Sequence, residues 1–179
     1  KLEPTASTAE AASLAAAAGL SRAPAYRYFP SRSRLISAIV GESLGPVRRF
    51  ESRKADGRER IQELFTKTFP RFRQFEPHMR AALQLSLEHW ALERSGLINE
   101  EPYRRGHRVA ILNRVAAPLE SRMRESEFRR LLCGLSMVFG IEPYVVLKDI
   151  WGCSDREVQA TARWMADAMI DAALKERSA

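Results

Sequence analysis

The chain of 179 residues has only two cysteines and three histidines, and their spacing does not indicate a metal site or a disulfide framework. Cys133 and Cys153 lie in apolar sequence without CxxC spacing, so we interpret them as buried thiols of a cytoplasmic protein. His78, His89 and His107 fall on different predicted helices and form no HxxxH or HExxH pair. We therefore predict no metal ion.

Long apolar runs and catalytic motifs are also missing. No segment approaches the length of a membrane span, and no signal peptide opens the sequence. The chain has no Gly-rich phosphate loop and no GxSxG motif, and the adjacent carboxylates Glu100 and Glu101 suit a helix start better than acid–base catalysis. We expect no catalytic residue, no cofactor and no membrane partner.

The residues that are present are typical of a globular protein, since 45% are hydrophobic and 28% are charged. Apolar residues recur at helical spacing, and no stretch alternates in the way that predicts a strand. We therefore predict an all-α fold. The expected helices cover residues 31–54, with an interruption at Gly45 and Pro46, and then 58–75, 79–94, 101–119, 128–150 and 154–175.

The net charge of +7 is unevenly distributed. Residues 1–54 carry nine Lys and Arg against four Asp and Glu, residues 55–127 carry thirteen against eleven, and residues 128–179 carry seven of each. The excess of +5 on the first segment indicates a module that binds a polyanion, attached to a nearly neutral body.

The basic segment contains a helix-turn-helix pattern between Thr8 and Leu35. Gly19 suits the left-handed residue that ends a helix, and Ser21 suits the cap of the short basic and aromatic helix that follows. One face of the first helix repeats small and apolar residues at the i, i+3, i+4, i+7 spacing: Ala11, Leu14, Ala15 and Ala18. An Ala-rich hairpin inside an ordinary helical bundle would explain the same composition.

These residues resemble the N-terminal signature of the TetR family of transcriptional regulators. The resemblance rests on several anchored positions: Leu14-Ala15, Ala18-Gly19-Leu20-Ser21, Tyr26-x-Tyr28-Phe29 and Ser31-Arg32-x-x-Leu35. Arg32 stands where the family usually has Lys, and Ala23, Pro24 and Ala25 replace its more common Gly, Thr or Ser, and Leu. The resemblance implies a homodimer that binds double-stranded operator DNA and is released by a small effector.

The resemblance also implies how the chain is divided. The family has a full helix before the helix-turn-helix, which this sequence lacks, so we expect an N-terminally truncated DNA-binding domain over residues 1–46. Residues 47–179 are then expected to form a helical domain for ligand binding and dimerisation. A bend at Gly45 and Pro46 would lie between the two.

The helix expected from Ser21 to Phe29 would enter the major groove of DNA. Arg22 and Arg27 are its longest donors for base edges or flanking phosphates, and the resemblance assigns Tyr26 and Arg32 to phosphate. The full set of expected DNA-binding residues is Thr8, Ser21, Arg22, Ala23, Tyr26, Arg27 and Arg32.

Two arginines add an argument from charge. Arg32 and Arg34 follow Ser31 at a predicted helix start, where a cation is unfavourable unless an anion is close. A DNA phosphate would supply that anion.

The last two predicted helices have broad apolar faces and no net charge, which favours a four-helix dimer interface. Ser154 and Glu157 form a capping-box pattern at the start of the second of them. The expected interface residues are Leu135, Val138, Val158, Ala162, Met165 and Met169. The alternative is that both helices are simply part of the core.

The middle of the chain has the aromatic residues that a pocket for a small hydrophobic effector would need. The expected lining is Phe65, Phe69, Phe72, Trp90, Tyr103, His107 and Ile111. Pro70 would bend the Phe-rich helix and open space beside it. Any one of these side chains could equally fill the core.

Two classes of function remain open. The first is a homodimeric DNA-binding regulator, most simply a repressor, whose operator is a pseudo-palindrome. The second is an all-helical small-molecule-binding protein or enzyme whose N-terminal hairpin is only structural. Salt-dependent retention on duplex DNA is required by the first class and not by the second.

Overall fold

The computed structural model describes residues 31–103 and 105–175. All regular structure in these ranges is helical, which confirms the predicted all-α fold. The helices are α1 (Arg32–Leu44), α2 (Gly57–Gln74), α3 (Glu76–Arg94), α4 (His107–Glu120), α5 (Glu125–Val138), α6 (Glu142–Trp151) and α7 (Asp155–Lys175), with a 3-10 turn at Gly45–Arg49.

The described chain divides into two compact units. The first unit contains residues 31–43 and 77–103, and the second unit contains residues 44–76 and 105–175. The sequence predicts one boundary, after residue 46. The structure differs because the chain returns to the first unit through α3 and the connection that follows it.

Helix α1 ends where glycine permits a turn. Gly45 has φ +49°, a left-handed conformation that costs a residue with a Cβ but not glycine. A 3-10 turn follows, and residues 50–56 are not helical, so the expected continuation of the helix to Lys54 is wrong. Helix α2 then begins with a strong cap, because the Asp56 carboxylate accepts the backbone N–H groups of Arg58 at 2.8 Å and Glu59 at 3.1 Å.

Two other predicted boundaries need correction, and one is confirmed. The helix expected over 128–150 is two helices, broken at Gly140, where φ is +154° and the Arg108 guanidinium fills the space that a Cβ would need. Helix α4 begins at His107 and not near residue 101. The capping box of α7 forms as predicted, since the Glu157 carboxylate accepts the Ser154 N–H at 2.7 Å and the Ser154 hydroxyl accepts the Glu157 N–H at 3.4 Å.

The core of the second unit contains an aromatic cluster. It consists of five buried rings from α2, α6 and the turn before α6: Phe65, Phe69, Phe72, Phe139 and Tyr144. Their contacting pairs have ring centroids 5.4–6.3 Å apart, within the range of favourable stacked and edge-on packing. The Tyr144 hydroxyl donates to the Phe69 carbonyl at 3.1 Å, and burial raises the pKa of that phenol. The Phe stripe of α2 is therefore a packing surface within the chain.

The cysteines are less buried than the sequence indicates. Cys133 is exposed and Cys153 is partly exposed. The reason for Cys133 is its position on α5, whose buried side is marked by Phe128, Leu131 and Leu135.

Among the described residues no single helix has both the length and the apolar character needed to cross a membrane. Helices α5 and α6 together reach that length and composition, with a bend of 49° between them.

Candidate functional site

The start of α1 is surrounded by polar and charged groups of the first unit. Ser31 caps the helix, since its hydroxyl accepts the N–H of Arg34 at 3.2 Å. The Glu100 carboxylate accepts the N–H of Ser33 at 3.3 Å, so an anion already lies at the positive end of the helix. The sequence predicts that Glu100 lies at the start of its own helix. It supports α1 instead, because residues 95–103 and 105–106 are not helical.

Both arginines at this helix start face carboxylates from the same unit. The Arg32 guanidinium binds both oxygens of Glu88, at 2.9 and 3.2 Å, and its side chain is only 13% exposed. Arg34 lies 3.0 Å from Glu101, and both of these side chains are mostly exposed. The two cations therefore do not need a DNA phosphate as the nearby anion, because the chain itself supplies carboxylates.

His89 connects α3 to the segment after it. Its ring is buried, Nδ1 accepts the backbone N–H of Tyr103 at 3.0 Å, and Nε2 lies 3.3 Å from a Glu100 oxygen. Because Nδ1 accepts a hydrogen bond, the ring proton is on Nε2 and faces the carboxylate. Together with Ser33, these residues hold α1, α3 and the following segment together.

Ser33, His89 and Glu100 lie in a row that resembles a hydrolase triad, but their hydrogen bonds indicate a structural role. The Ser33 hydroxyl donates to the Glu101 carbonyl at 2.6 Å and is 3.5 Å from His89 Nδ1. A catalytic serine would donate to the histidine, whose lone pair here is occupied by the Tyr103 N–H. Ser33 is also buried. These three side chains hold the backbone in place through hydrogen bonds, and they do not activate a nucleophile.

Most of the expected DNA-binding residues cannot be compared with the structure. Thr8, Ser21, Arg22, Ala23, Tyr26 and Arg27 lie outside the described residues. Arg32 is described, and it is the arginine that pairs with Glu88.

The expected dimer residues need a correction. Leu135, Val138, Val158 and Ala162 are buried inside the chain's own core, so their side chains are not available to a second copy. A Cβ on Gly134 would lie 2.6 Å from the sulfur of Met169, which places Met169 against α5 of its own chain. Of the six, Met165 remains clearly exposed. Helix α7 has apolar residues on more than one face. One of these faces is buried within the chain, and it is the face that the sequence predicts as the dimer interface.

Other apolar side chains on these helices are exposed. They are Met137 on α5, Val146, Ile150 and Trp151 on α6, and Trp164 and Met165 on α7. Trp164 is 69% exposed, although tryptophan usually buries most of its surface.

The expected pocket residues are divided between the two units. Phe65, Phe69, Phe72 and Ile111 are buried in the second unit, where the three Phe rings pack in the aromatic cluster. Trp90 and Tyr103 belong to the first unit, and Trp90 is 60% exposed. His107 is the exposed first residue of α4, and partial burial of its ring, followed by the charge of Arg48, lowers its pKa from 6.5. Helix α2 continues through Pro70.

Sequence reasoning missed several partners. The sequence carries no signal for Glu88, because a carboxylate on an amphipathic helix is normally solvated and its partner, Arg32, lies 56 residues away. Phe139 and Tyr144 were expected in the last apolar helices, and no sequence signal pairs them with the Phe stripe of α2.

Within 31–103 and 105–175 no group of three or more His, Cys, Asp or Glu side chains is arranged to hold a metal ion. Comparison of the chain with models of known protein families, with curated proteins and with solved structures finds no match.

Proposed function

We propose that this chain is a homodimeric, DNA-binding transcriptional regulator of the TetR type, acting in the cytoplasm as a repressor. The observation that carries the proposal is the helix-turn-helix signature from Leu14 to Leu35. It combines a small-residue helix face, a glycine turn, a hydroxyl cap and a basic-aromatic helix in the order that DNA recognition requires.

Two features support this reading. The excess positive charge of the chain is concentrated in residues 1–54, as expected for a module that binds a polyanion. Helix α1 begins at Arg32 directly after its Ser31 cap, at the position where the resemblance expects the helix that follows the DNA reader.

Duplex selection tests the DNA-binding half of the proposal. The full chain should enrich sequences with two-fold symmetry from a random pool, with half-sites one or more turns of about 10 bp apart. Arg27→Ala should weaken binding to the selected duplex by about 1–3 kcal/mol. Arg156→Ala is the control, because it removes the same charge from an exposed position on α7. Enrichment of no sequence, or equal losses in the two variants, would contradict the proposed recognition helix.

The exposed apolar side chains of α5, α6 and α7 support a homodimer. Six such residues on neighbouring helices suit the apolar centre of an interface between two copies. This surface replaces the dimer interface inferred from the sequence. The buried residues of that predicted interface stabilise each chain by itself.

A matched pair of tryptophan variants tests this interface. Trp164→Asp should convert the dimer to a monomer, since an unpaired carboxylate would be buried between the copies. Trp90→Asp introduces the same charge at an equally exposed tryptophan of the first unit and should leave the dimer intact. Masses from light scattering at several concentrations distinguish the two results. A dimeric Trp164→Asp protein would show that the interface lies elsewhere.

The effector in this proposal is a small hydrophobic molecule. The apolar contacts proposed for such a ligand come from the aromatic side chains of the second unit, and His107 of the same unit is the proposed polar contact. A ligand that releases the operator must bind more weakly when operator is present, by the same factor. Titration of any compound that raises the melting temperature, with and without the duplex, measures that factor.

A further inference from the structure

We propose that Glu88 competes with DNA phosphate for Arg32, so that the described arrangement is an autoinhibited state of the DNA-binding unit. The inference rests on the proposed function and adds a regulatory contact to it. The competing pair is the two-pronged contact between the Arg32 guanidinium and the Glu88 carboxylate.

The geometry of the pair matches the way arginine binds phosphate. Two guanidinium nitrogens meet two carboxylate oxygens, at 2.9 and 3.2 Å, as they would meet two phosphate oxygens. The Arg32 side chain is 13% exposed and that of Glu88 is 38% exposed. A phosphate can therefore replace the carboxylate only if Arg32 turns away from α3.

The other carboxylates of the first unit strengthen the competition. Glu100 accepts the N–H of Ser33, and Glu101 lies 3.0 Å from Arg34. Helix starts bind anions through such N–H groups, so the Glu100 carboxylate occupies the positive end of α1 that a phosphate would approach. Glu88 is the carboxylate that binds the Arg32 guanidinium, and Arg32 is the residue expected to contact phosphate.

The exchange has a direct consequence for affinity. Binding to DNA must break the Arg32–Glu88 pair, and the free energy of that pair is subtracted from the free energy of binding. Removing the charge of Glu88 should therefore increase duplex affinity by about tenfold, the value for 1.4 kcal/mol. Any change that moves α3 relative to α1 would act on the same contact.

The test compares the selected duplex affinity of the full chain with that of Glu88→Gln. Glu93→Gln is the control, because it removes the same charge from an exposed position on the same helix. A double-mutant cycle supplies the second measurement. In the Arg32→Ala background, Glu88→Gln should change affinity no more than Glu93→Gln does, because its effect acts through Arg32.

Glu88→Asp keeps the charge but shortens the side chain by one methylene, which moves the carboxylate away from Arg32, so the duplex affinity of this variant should lie between those of the wild type and Glu88→Gln. Glu88→Asp also tests the exchange if Glu88→Gln does not fold.

The outcomes separate the inference from the function beneath it. A gain for Glu88→Gln that exceeds the control and disappears with Arg32→Ala supports the exchange. If the wild type binds the duplex but Glu88→Gln behaves like Glu93→Gln, or keeps its gain without Arg32, the exchange is wrong and the proposed function stands. If neither the wild type nor any variant binds duplex DNA, the exchange and the proposed DNA-binding function are both wrong.

Discussion

The aromatic cluster of the second unit and the polar cluster at the start of α1 are stabilised by different physics. In the aromatic cluster, five buried rings contact one another directly. At α1, side chains of Arg32, Ser33 and Arg34 meet partners 56–68 residues away through directed hydrogen bonds and ion pairs. Apolar burial has no competitor in solution, whereas a carboxylate bound to arginine can be replaced by another anion.

The largest expected effect lies in the aromatic cluster. Phe69→Ala should reduce the free energy of unfolding by about 3–5 kcal/mol, because it removes a fully buried ring and leaves a cavity. Urea denaturation measures the loss. Leu87→Ala, at an exposed position on α3, is the control and should stay within about 0.5 kcal/mol of the wild type. Equal losses would mean that the ring cluster is not the core.

A smaller effect is expected at the buried histidine of the polar cluster. His89→Leu keeps the apolar volume but leaves the Tyr103 N–H and the Glu100 carboxylate without the ring nitrogens. The free energy of unfolding should fall by about 1–3 kcal/mol, the cost of unsatisfied buried polar groups. A loss as large as that of Phe69→Ala in the same denaturation experiment would show that the polar cluster is not the weaker region.

An acid-sensitive contact in the second unit extends the comparison. Glu142 is desolvated, which alone would raise its pKa, but the attraction and hydrogen bond of Arg108 outweigh burial and lower the pKa below 4.5. A lowered carboxyl pKa stabilises the fold above the unfolded value of 4.5, and that stability is lost as the pH falls through the folded value. The melting temperatures of the wild type and Glu142→Gln should therefore converge between about pH 6 and pH 3. Parallel curves over this range would exclude the linkage.

The smallest effect is expected at the exposed pair of the polar cluster. Arg34→Gln removes the contact with Glu101, and since both side chains are mostly exposed the loss should be at most about 0.5 kcal/mol. The effect should shrink further in 0.5 M salt, which about halves the screening distance relative to 0.1 M. A loss above about 1 kcal/mol in denaturation at low salt would mean that this pair is not a surface contact in solution.

The same contrast explains what could be predicted from the sequence. Helical periodicity predicted α2, α3 and α7 closely, because one buried face leaves a repeating pattern. The periodicity does not show which of the two apolar faces of α7 is buried within the chain. It therefore predicts Val158 and Ala162 at an interface, but they lie in the core.

Interactions between distant residues leave no such pattern. Glu100 and Glu101 were recognised as the anions of a helix start, but the helix they serve begins almost 70 residues earlier in the chain. No sequence pattern indicates a role for Glu88. The polar cluster therefore depends on the tertiary structure, whereas the existence of the helices largely follows from local pattern.

The most direct test of the proposed regulator is the salt dependence of its affinity for the selected duplex. The logarithm of the association constant should fall linearly with the logarithm of the salt concentration, by about 0.9 for each phosphate contact, and Arg32→Ala should reduce that slope by about one contact. A wild-type affinity that does not change with salt, or no affinity for duplex DNA at low salt, would contradict the account.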